Sequence, residues 1–230
     1  MDKVSGHDGL GNEFSSLSEV WAQGGDEWYG KALQYWGEQD ASINGVLGGF
    51  GNLHGIDIEG SGQFLDSVPG TISVVGDCGA GIGRVAQFLL GKRFQHVDLI
   101  EPCAKLLAKA QSELPTAGFG YIQSPLQTWT PPVGHYDMLW HQWVLLYLTD
   151  EDCVAYLKRC KLGLKSGGFI AVKENVARDE FLVDPDDNSV TRTMPQYCAL
   201  FAAAGLKIVT QLTQPKWPSH LFPVVMFALR

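Results

Sequence analysis

Asp77-Cys78-Gly79-Ala80-Gly81-Ile82-Gly83-Arg84 is the stretch that decides the fold. It follows a short apolar run, Ile72–Val75, and opens a segment of helical spacing, Arg84–Leu90. Glycines at a strand-to-helix turn let a ligand approach the backbone closely. A dinucleotide fingerprint would read G-x-G-x-x-G and aim the helix at pyrophosphate. Here the third glycine comes one residue early and Asp77 precedes the first, a spacing suited to a ligand without phosphates.

Outward from this turn, apolar runs at His96–Ile100, Phe119–Ile122, Tyr136–Trp140 and Phe169–Lys173 alternate with helical segments Pro102–Glu113 and Glu151–Leu164. That alternation predicts an α/β fold, a doubly wound and mainly parallel sheet covered by helices. After an acidic stretch, Arg178–Asp187, a helix is expected around Ser189–Ala204, closed by Gly205. Strands near Leu206–Leu212 and Pro223–Leu229, separated by Gln214–Pro218, predict a C-terminal antiparallel hairpin at the sheet edge.

Upstream, Asp26–Glu38 has aromatic residues at helical spacing, with Trp36 near its C-terminal end. Asn44–Gly62 carries Gly45, Gly48, Gly49, Gly51, Gly55, Gly60 and Gly62, too many for regular structure, so Leu47–His54 reads as a loop. Met1–Gly25 lacks hydrophobic period and reads as a flexible leader. The expected organisation is a leader, 1–25, and one domain, 26–230, in which 26–68 form a cover over the core at 69–230.

The balance of Lys+Arg 17 against Asp+Glu 25, a net charge of −8, lacks the basic surface that nucleic-acid backbones require. A cationic peptide or small molecule fits better. Met138–Leu148 is too short and polar to cross a bilayer, and the N-terminus has no secretory pattern, so no membrane partner is expected. The expected location is cytoplasmic, with the nucleus as second option. Cys78, Cys103, Cys153, Cys160 and Cys198 form no C-x-x-C pair, which disfavours a disulfide framework and a metal site.

Glu101 ends the second strand of the core, where a carboxylate can accept two ribose hydroxyls, and an adenosine is thereby implied. The acid and glycine turn together with Glu101 resembles the first two motifs of the class I S-adenosylmethionine methyltransferases. Leu126 and Gln127 then become candidates to flank the adenine and Gln142 to meet the methionine end; each amide reads equally as an ordinary loop-edge group.

A longer series of segments is more specific. Tyr35-Trp36, Gly45–Gly51 with Ile56-Asp57-Ile58, Asp77–Arg84, Gln142-Trp143-Val144, Leu148-Thr149-Asp150, Glu174-Asn175, Val183–Val190 and Phe227–Arg230 occur in that order. This series resembles the protein α-N-terminal methyltransferase family, which methylates the free amine of chains beginning Xaa-Pro-Lys. The resemblance implies a seven-stranded methyltransferase sheet, S-adenosyl-L-methionine as cofactor with S-adenosyl-L-homocysteine as product, and N-terminal tails beginning Xaa-Pro-Lys/Arg as partners. Gly79, Gly81, Gly83, Arg84, Glu101, Leu126, Gln127, Gln142 and Trp36 would bind the cofactor.

On the substrate side, Asn175 would hold the peptide backbone near the amine, and Asp184 and Ser189 would receive the third-residue side chain. Trp143, Leu47, Leu53 and Leu221 would form a pocket for the second-residue proline. Asp187 is the candidate base. The chain departs from the family at Tyr147, where a histidine is usual, and at Phe222, where a tyrosine is usual. A neutral tyrosine is a poor proton acceptor at pH 7, which shifts that burden to Asp187 and leaves Tyr147 a hydrogen-bonding or relay role. Two other readings are a small-molecule amine methyltransferase and a non-catalytic binding module of the same fold.

Overall fold

The computed structural model describes residues 4–68 and 73–230. Met1–Lys3 of the expected leader and Ile72 of the first expected core strand lie outside them. The chain runs β1 (Gly6–Asp8), β2 (Glu13–Phe14), α1 (Leu17–Gly24), α2 (Trp28–Glu38), α3 (Ile43–Val46), α4 (His54–Ser67), β3 (Val74–Cys78) and α5 (Arg84–Phe88). There follow β4 (His96–Ile100), α6 (Ala104–Glu113), β5 (Phe119–Ile122), β6 (Tyr136–Gln142), α7 (Asp150–Gly163) and β7 (Leu164–Asn175). The chain ends with β8 (Phe181–Asp184), β9 (Ser189–Thr191), α8 (Met194–Ala203), β10 (Ile208–Thr213) and β11 (Val224–Leu229).

A seven-stranded sheet of order β10-β11-β7-β6-β3-β4-β5 forms the frame. The pairs from β7 to β5 are parallel, while β11 pairs antiparallel with both β7 and β10. The expected hairpin therefore exists, with β11 inserted inside the sheet and β10 at its edge. All six residues of β11 are buried, as suits a strand covered on both faces. One core, containing Leu139, Tyr156, Phe201 and Phe227, packs on one side, and a second, containing Phe64, Val75, Leu99 and Trp140, packs on the other.

The sheet order reverses between β3 and β6, and crevices for ligands open at the carboxyl ends of strands at such a switch point. The glycine turn after β3, Glu101 after β4, Gln142 at the end of β6 and Asn175 at the end of β7 all stand at this one edge.

Three local expectations are corrected. Residues 6–24 of the expected leader form β1, β2 and α1, with Phe14, Leu17 and Val20 buried against Trp28, Phe181, Val183 and Val190. The apolar residues are few, and their partner strand is far away in sequence, so local composition hides them. The glycine-rich Gly55, Gly60 and Gly62 lie within helix α4 rather than in irregular backbone. Burial of Gly60, Ser61, Phe64 and Leu65 against the fold outweighs the roughly 1 kcal/mol that each helical glycine costs. Ser189–Thr191, expected as the start of a helix, is strand β9, and α8 begins only at Met194, opened by a Thr193–Gln196 capping box. Among the described residues no helix is long and apolar enough to cross a membrane.

Candidate active site

The backbone at Gly79, Gly81 and Gly83 is left-handed, with φ of 74°, 56° and 75°, a conformation that L side chains resist. A Cβ at Gly79 would also stand 2.5 Å from Val144. The turn is locked to β4, since the amides of Gly79 and Ala80 donate to the Ile100 carbonyl at 2.8 and 3.1 Å. Glu101 closes it: its Oε2 accepts from the Gly81 amide and its Oε1 from the Cys103 amide, each at 2.8 Å. Burial raises the Glu101 carboxyl to about 7, against the pull of those two N–H groups. Each oxygen still has a lone pair to offer.

Asp77 is almost fully buried beside this turn, and its Oδ2 has no hydrogen-bond partner among the described residues. Burial pushes its carboxyl up to about 7, opposed chiefly by the Arg84 charge. An orphaned carboxylate oxygen on the wall of a cavity marks where a donor or positive charge belongs. Gly83 serves differently. Its open side faces Leu114, Leu99 and Ala110 inside the fold, not the cavity.

Beneath the turn lies a buried ionic network that the sequence did not disclose. Asp57 on α4, wholly inaccessible, accepts from Arg84 Nη1 at 2.7 Å and from Gln142 Nε2 at 2.8 Å, and it pairs with Lys173. Lys173 also donates to Ser61 Oγ at 2.9 Å and Gln214 Oε1 at 2.7 Å. Burial works to raise the Asp57 carboxyl, but Lys173 and Arg84 hold it below the ordinary range. Burial brings Lys173 down to about 8 although Asp57 opposes it. Arg84 and Gln142 are thus fixed in place. The one sequence signal was a lysine closing an otherwise apolar strand run, Phe169–Lys173.

Across the cavity, Trp143 also has left-handed backbone, with φ of 52°. Its indole N–H donates to Asn175 Oδ1 at 3.2 Å, and because indole is only a donor, this turns the Asn175 amide N–H groups free of it. Glu174 holds the same turn by accepting from the Val144 and Leu145 amides at 2.9 and 2.8 Å. Burial raises its carboxyl to about 8. Leu47, Phe50, Leu53, Leu221 and Phe222 add apolar wall to the same cavity as Trp143.

The acidic segment closes the mouth. Tyr147 Oη donates to Asp187 Oδ2 at 2.9 Å, and the Ser189 amide donates to Oδ1 at 3.0 Å. Burial raises the Asp187 carboxyl, while these bonds oppose it. The Tyr147 hydroxyl is pushed well above its usual range by burial and by Asp187. Trp36 meets Tyr147 edge to face at 6.3 Å. Asp184 is exposed and pairs with Ser189 across β8 and β9.

One cavity of about 540 Å³ is lined by both sets of residues, from Trp36, Gly79, Gly81, Arg84, Glu101 and Gln142 to Leu47, Leu53, Trp143, Tyr147, Asn175, Asp184, Asp187, Ser189 and Leu221. Three of the expected residues stand outside that lining. Gly83 packs inward as described. Leu126 is buried in the core, and Gln127 is half-buried beside it. The carbonyls of both accept from Arg159 Nη2 at 3.0 and 2.9 Å, which anchors this turn to α7.

A family model described as AdoMet dependent proline di-methyltransferase matches residues 24–230. Among curated relatives, alpha N-terminal protein methyltransferase 1 of Arabidopsis thaliana is 40% identical, covering 98% of this chain and 91% of that protein. N-terminal Xaa-Pro-Lys N-methyltransferase 1 of Xenopus tropicalis is 37% identical over 89% of this chain and 96% of that protein. Among solved structures, a SAM-dependent methyltransferase of Leishmania major superposes with a TM-score of 0.96 at 42% identity, covering 99% of this chain and 96% of that one. A switch-point cradle with its acidic partner, joined in one cavity to an acidic mouth, is what such an enzyme needs, and the chain belongs to the AdoMet-dependent proline di-methyltransferase family.

Proposed function

We propose that this enzyme transfers methyl groups from S-adenosylmethionine to the free α-amino group of proteins and peptides beginning Xaa-Pro-Lys or Xaa-Pro-Arg. The observation that carries the reading is that one cavity is lined both by the glycine cradle and Glu101 and by Asn175, Asp184 and Asp187. The names of the relatives support protein N-termini as substrates. A cytoplasmic location, with the nucleus second, goes with this reading. So does the absence of a direct nucleic-acid or membrane partner, for which the net charge of −8 speaks in the case of nucleic acid.

The residues present fit the cofactor: Asp77 has an unpartnered oxygen on the cavity wall, and the left-handed glycine turn leaves backbone open to a ligand. Glu101 would accept its ribose hydroxyls, Gly79 and Gly81 would line its passage, and Arg84, Gln142 and Trp36 would hold the amino-acid end. When bound, S-adenosylmethionine supplies a methyl group on a positively charged sulfur that an amine lone pair can attack in line.

The rest is work for the chain's own side chains. The amide N–H groups of Asn175 donate to the peptide backbone next to the amine, while Trp143 with Leu47, Leu53 and Leu221 packs against the proline ring, which has no N–H to satisfy. Asp184 and Ser189 receive the basic third side chain. Two unit charges about 4 Å apart interact by about 4 kcal/mol at an effective dielectric of 20, before desolvation is subtracted, enough for a clear preference for Lys or Arg.

An α-amine with a pKa of about 7.7–8.0 is partly neutral at pH 7, and Asp187 accepts its proton. Tyr147, held protonated by its surroundings, orients that carboxylate by donating to it.

The test is a matched pair of hexapeptides beginning Ser-Pro-Lys, one with a free amine and one acetylated. The free peptide is methylated and the acetylated one is inert; equal turnover of both refutes the reading. Replacing the third-residue Lys by Gln raises KM by about tenfold or more. A peptide series in which that residue makes no difference favours a small-molecule amine methyltransferase instead.

A further inference from the structure

Ahead of the family match, which begins at residue 24, the chain builds an arm that the known reaction does not explain. Strand β1 pairs in parallel with β8, setting Gly6 beside Phe181, His7 beside Leu182 and Asp8 beside Val183, and β2 folds back on β1. Strand β8 in turn pairs with β9, setting Asp184 beside Ser189. Without the arm, β8 and β9 would be a bare two-stranded hairpin, which is marginal in water. With it they belong to a four-stranded sheet, β2-β1-β8-β9.

The two faces of that sheet have different duties. Phe181, Val183 and Val190 point into a small core whose remaining members, Phe14, Leu17, Val20 and Trp28, come mostly from the arm. Strand side chains alternate, so burying this set turns Leu182, Asp184, Ser189 and Thr191 to the other face, where all four line the active cavity. A slip of one residue would exchange the sets. The contact at Gly6 is specific: a Cβ there would lie 2.3 Å from the Phe181 ring and 2.4 Å from its carbonyl oxygen. Beyond the sheet, Trp21 of α1 packs edge to face on Trp28 at 4.9 Å, and the Trp28 carbonyl accepts from Asn188 Nδ2 at 3.1 Å, next to Asp187.

We infer that the N-terminal arm, Gly6–Gly24, is the positioning element of the acidic hairpin and sets how strongly the enzyme prefers a basic third residue. The inference rests on the substrate reading above, because it assigns Asp184 and Ser189 to that residue. No arm residue borders the active cavity, so the arm acts on it at second hand, through β8 and β9 and through Trp28.

The test uses Gly6→Val and, as an independent variant, Phe14→Ser, both in the full chain, with Ser-Pro-Lys and Ser-Pro-Gln hexapeptides. Each variant raises KM for the Lys peptide by about tenfold with S-adenosylmethionine affinity retained, and the Lys-over-Gln preference falls accordingly, while any fall in kcat, through Asp187 in the same turn, is equal on both peptides. In an Asp184→Ala background neither variant reduces that preference further. Amide hydrogen exchange speeds up in the turn at 185–188 and in β9, neither of which pairs with the arm. Unchanged preference in both variants overturns the inference, as does an equal loss of kcat on both peptides with loss of cofactor binding, which would mark general destabilisation. If the parent enzyme shows no Lys preference, the substrate reading fails instead. The exchange rates then decide the positioning role alone, and unchanged protection at 185–191 refutes it.

Discussion

Asp187→Asn lowers kcat by about a hundred- to ten-thousandfold, the range expected when a general base is removed, and leaves S-adenosylmethionine affinity unchanged. The substitution keeps the size of the side chain and an oxygen to accept from Tyr147 or Ser189, but removes the capacity to take a proton. No other side chain at the mouth replaces it readily. Tyr147 is held protonated, and Asp184 is exposed, so its charge is well solvated. In the parent enzyme the rate rises with pH as Asp187 loses its proton and again as the α-amine becomes neutral. Because burial raises the Asp187 carboxyl, its limb lies at higher pH than for an exposed aspartate. In the Asn variant that lower limb vanishes and only the amine limb remains. Pre-steady-state rates measured from pH 4 to pH 9, with calorimetric titration of the cofactor, check both parts. An unchanged rate constant moves the proton-accepting role elsewhere.

Asp57→Ala destabilises the fold by about 3–5 kcal/mol, because it strips the carboxylate from Arg84 and Lys173 while both remain buried. Gln142 loses its anchor as well. The damage reaches the site from beneath: Arg84 and Lys173 lie 5.9 and 6.0 Å from the Trp143 ring, so their displacement loosens the wall that meets the proline. Urea unfolding at pH 7 measures the loss. Adding Lys173→Met to Asp57→Ala removes one of the stranded charges and recovers part of it. A loss under about 1 kcal/mol for the single variant would show that water reaches this network and screens it.

What was legible in the sequence was local. Asp77–Arg84 betrays its turn because three left-handed positions need glycine within a few residues of a strand. Glu101 follows from its place at the end of the second core strand, at the carboxyl edge of the sheet. The alternation of apolar runs with helical segments from Ile72 to Lys173 gave the sheet its parallel character. The acidic stretch and Trp143 became substrate candidates only through the resemblance, since charge runs and aromatic residues ordinarily signify a solvated loop and a core.

What escaped was long-range. Asp57 and Lys173 meet across more than a hundred positions, and although a lysine closing an apolar run hints at burial, nothing local names its partner. Strands β1, β2 and β9 are two or three residues long, too short for a periodic signal, and are strands only because β8 pairs β1 and β9 and β1 pairs β2. Helix α4 tolerates its glycines because tertiary burial overrides propensity. Gly83 and Leu126, expected at the cofactor, stand outside the cavity lining, where Gly83 packs against Leu114 and Leu99 and Leu126 lies within the core.

The most direct test of a cavity that joins the methyl donor to an N-terminal amine is the position of the transferred methyl group. A peptide beginning Ser-Pro-Lys, with a second lysine further along, is incubated with the enzyme and S-adenosylmethionine and sequenced by fragment-ion mass spectrometry. The expected result is mass added only to the first-residue nitrogen, with both lysine side chains unmodified. Methyl groups on a lysine ε-amine, or none on the α-amine, would contradict it.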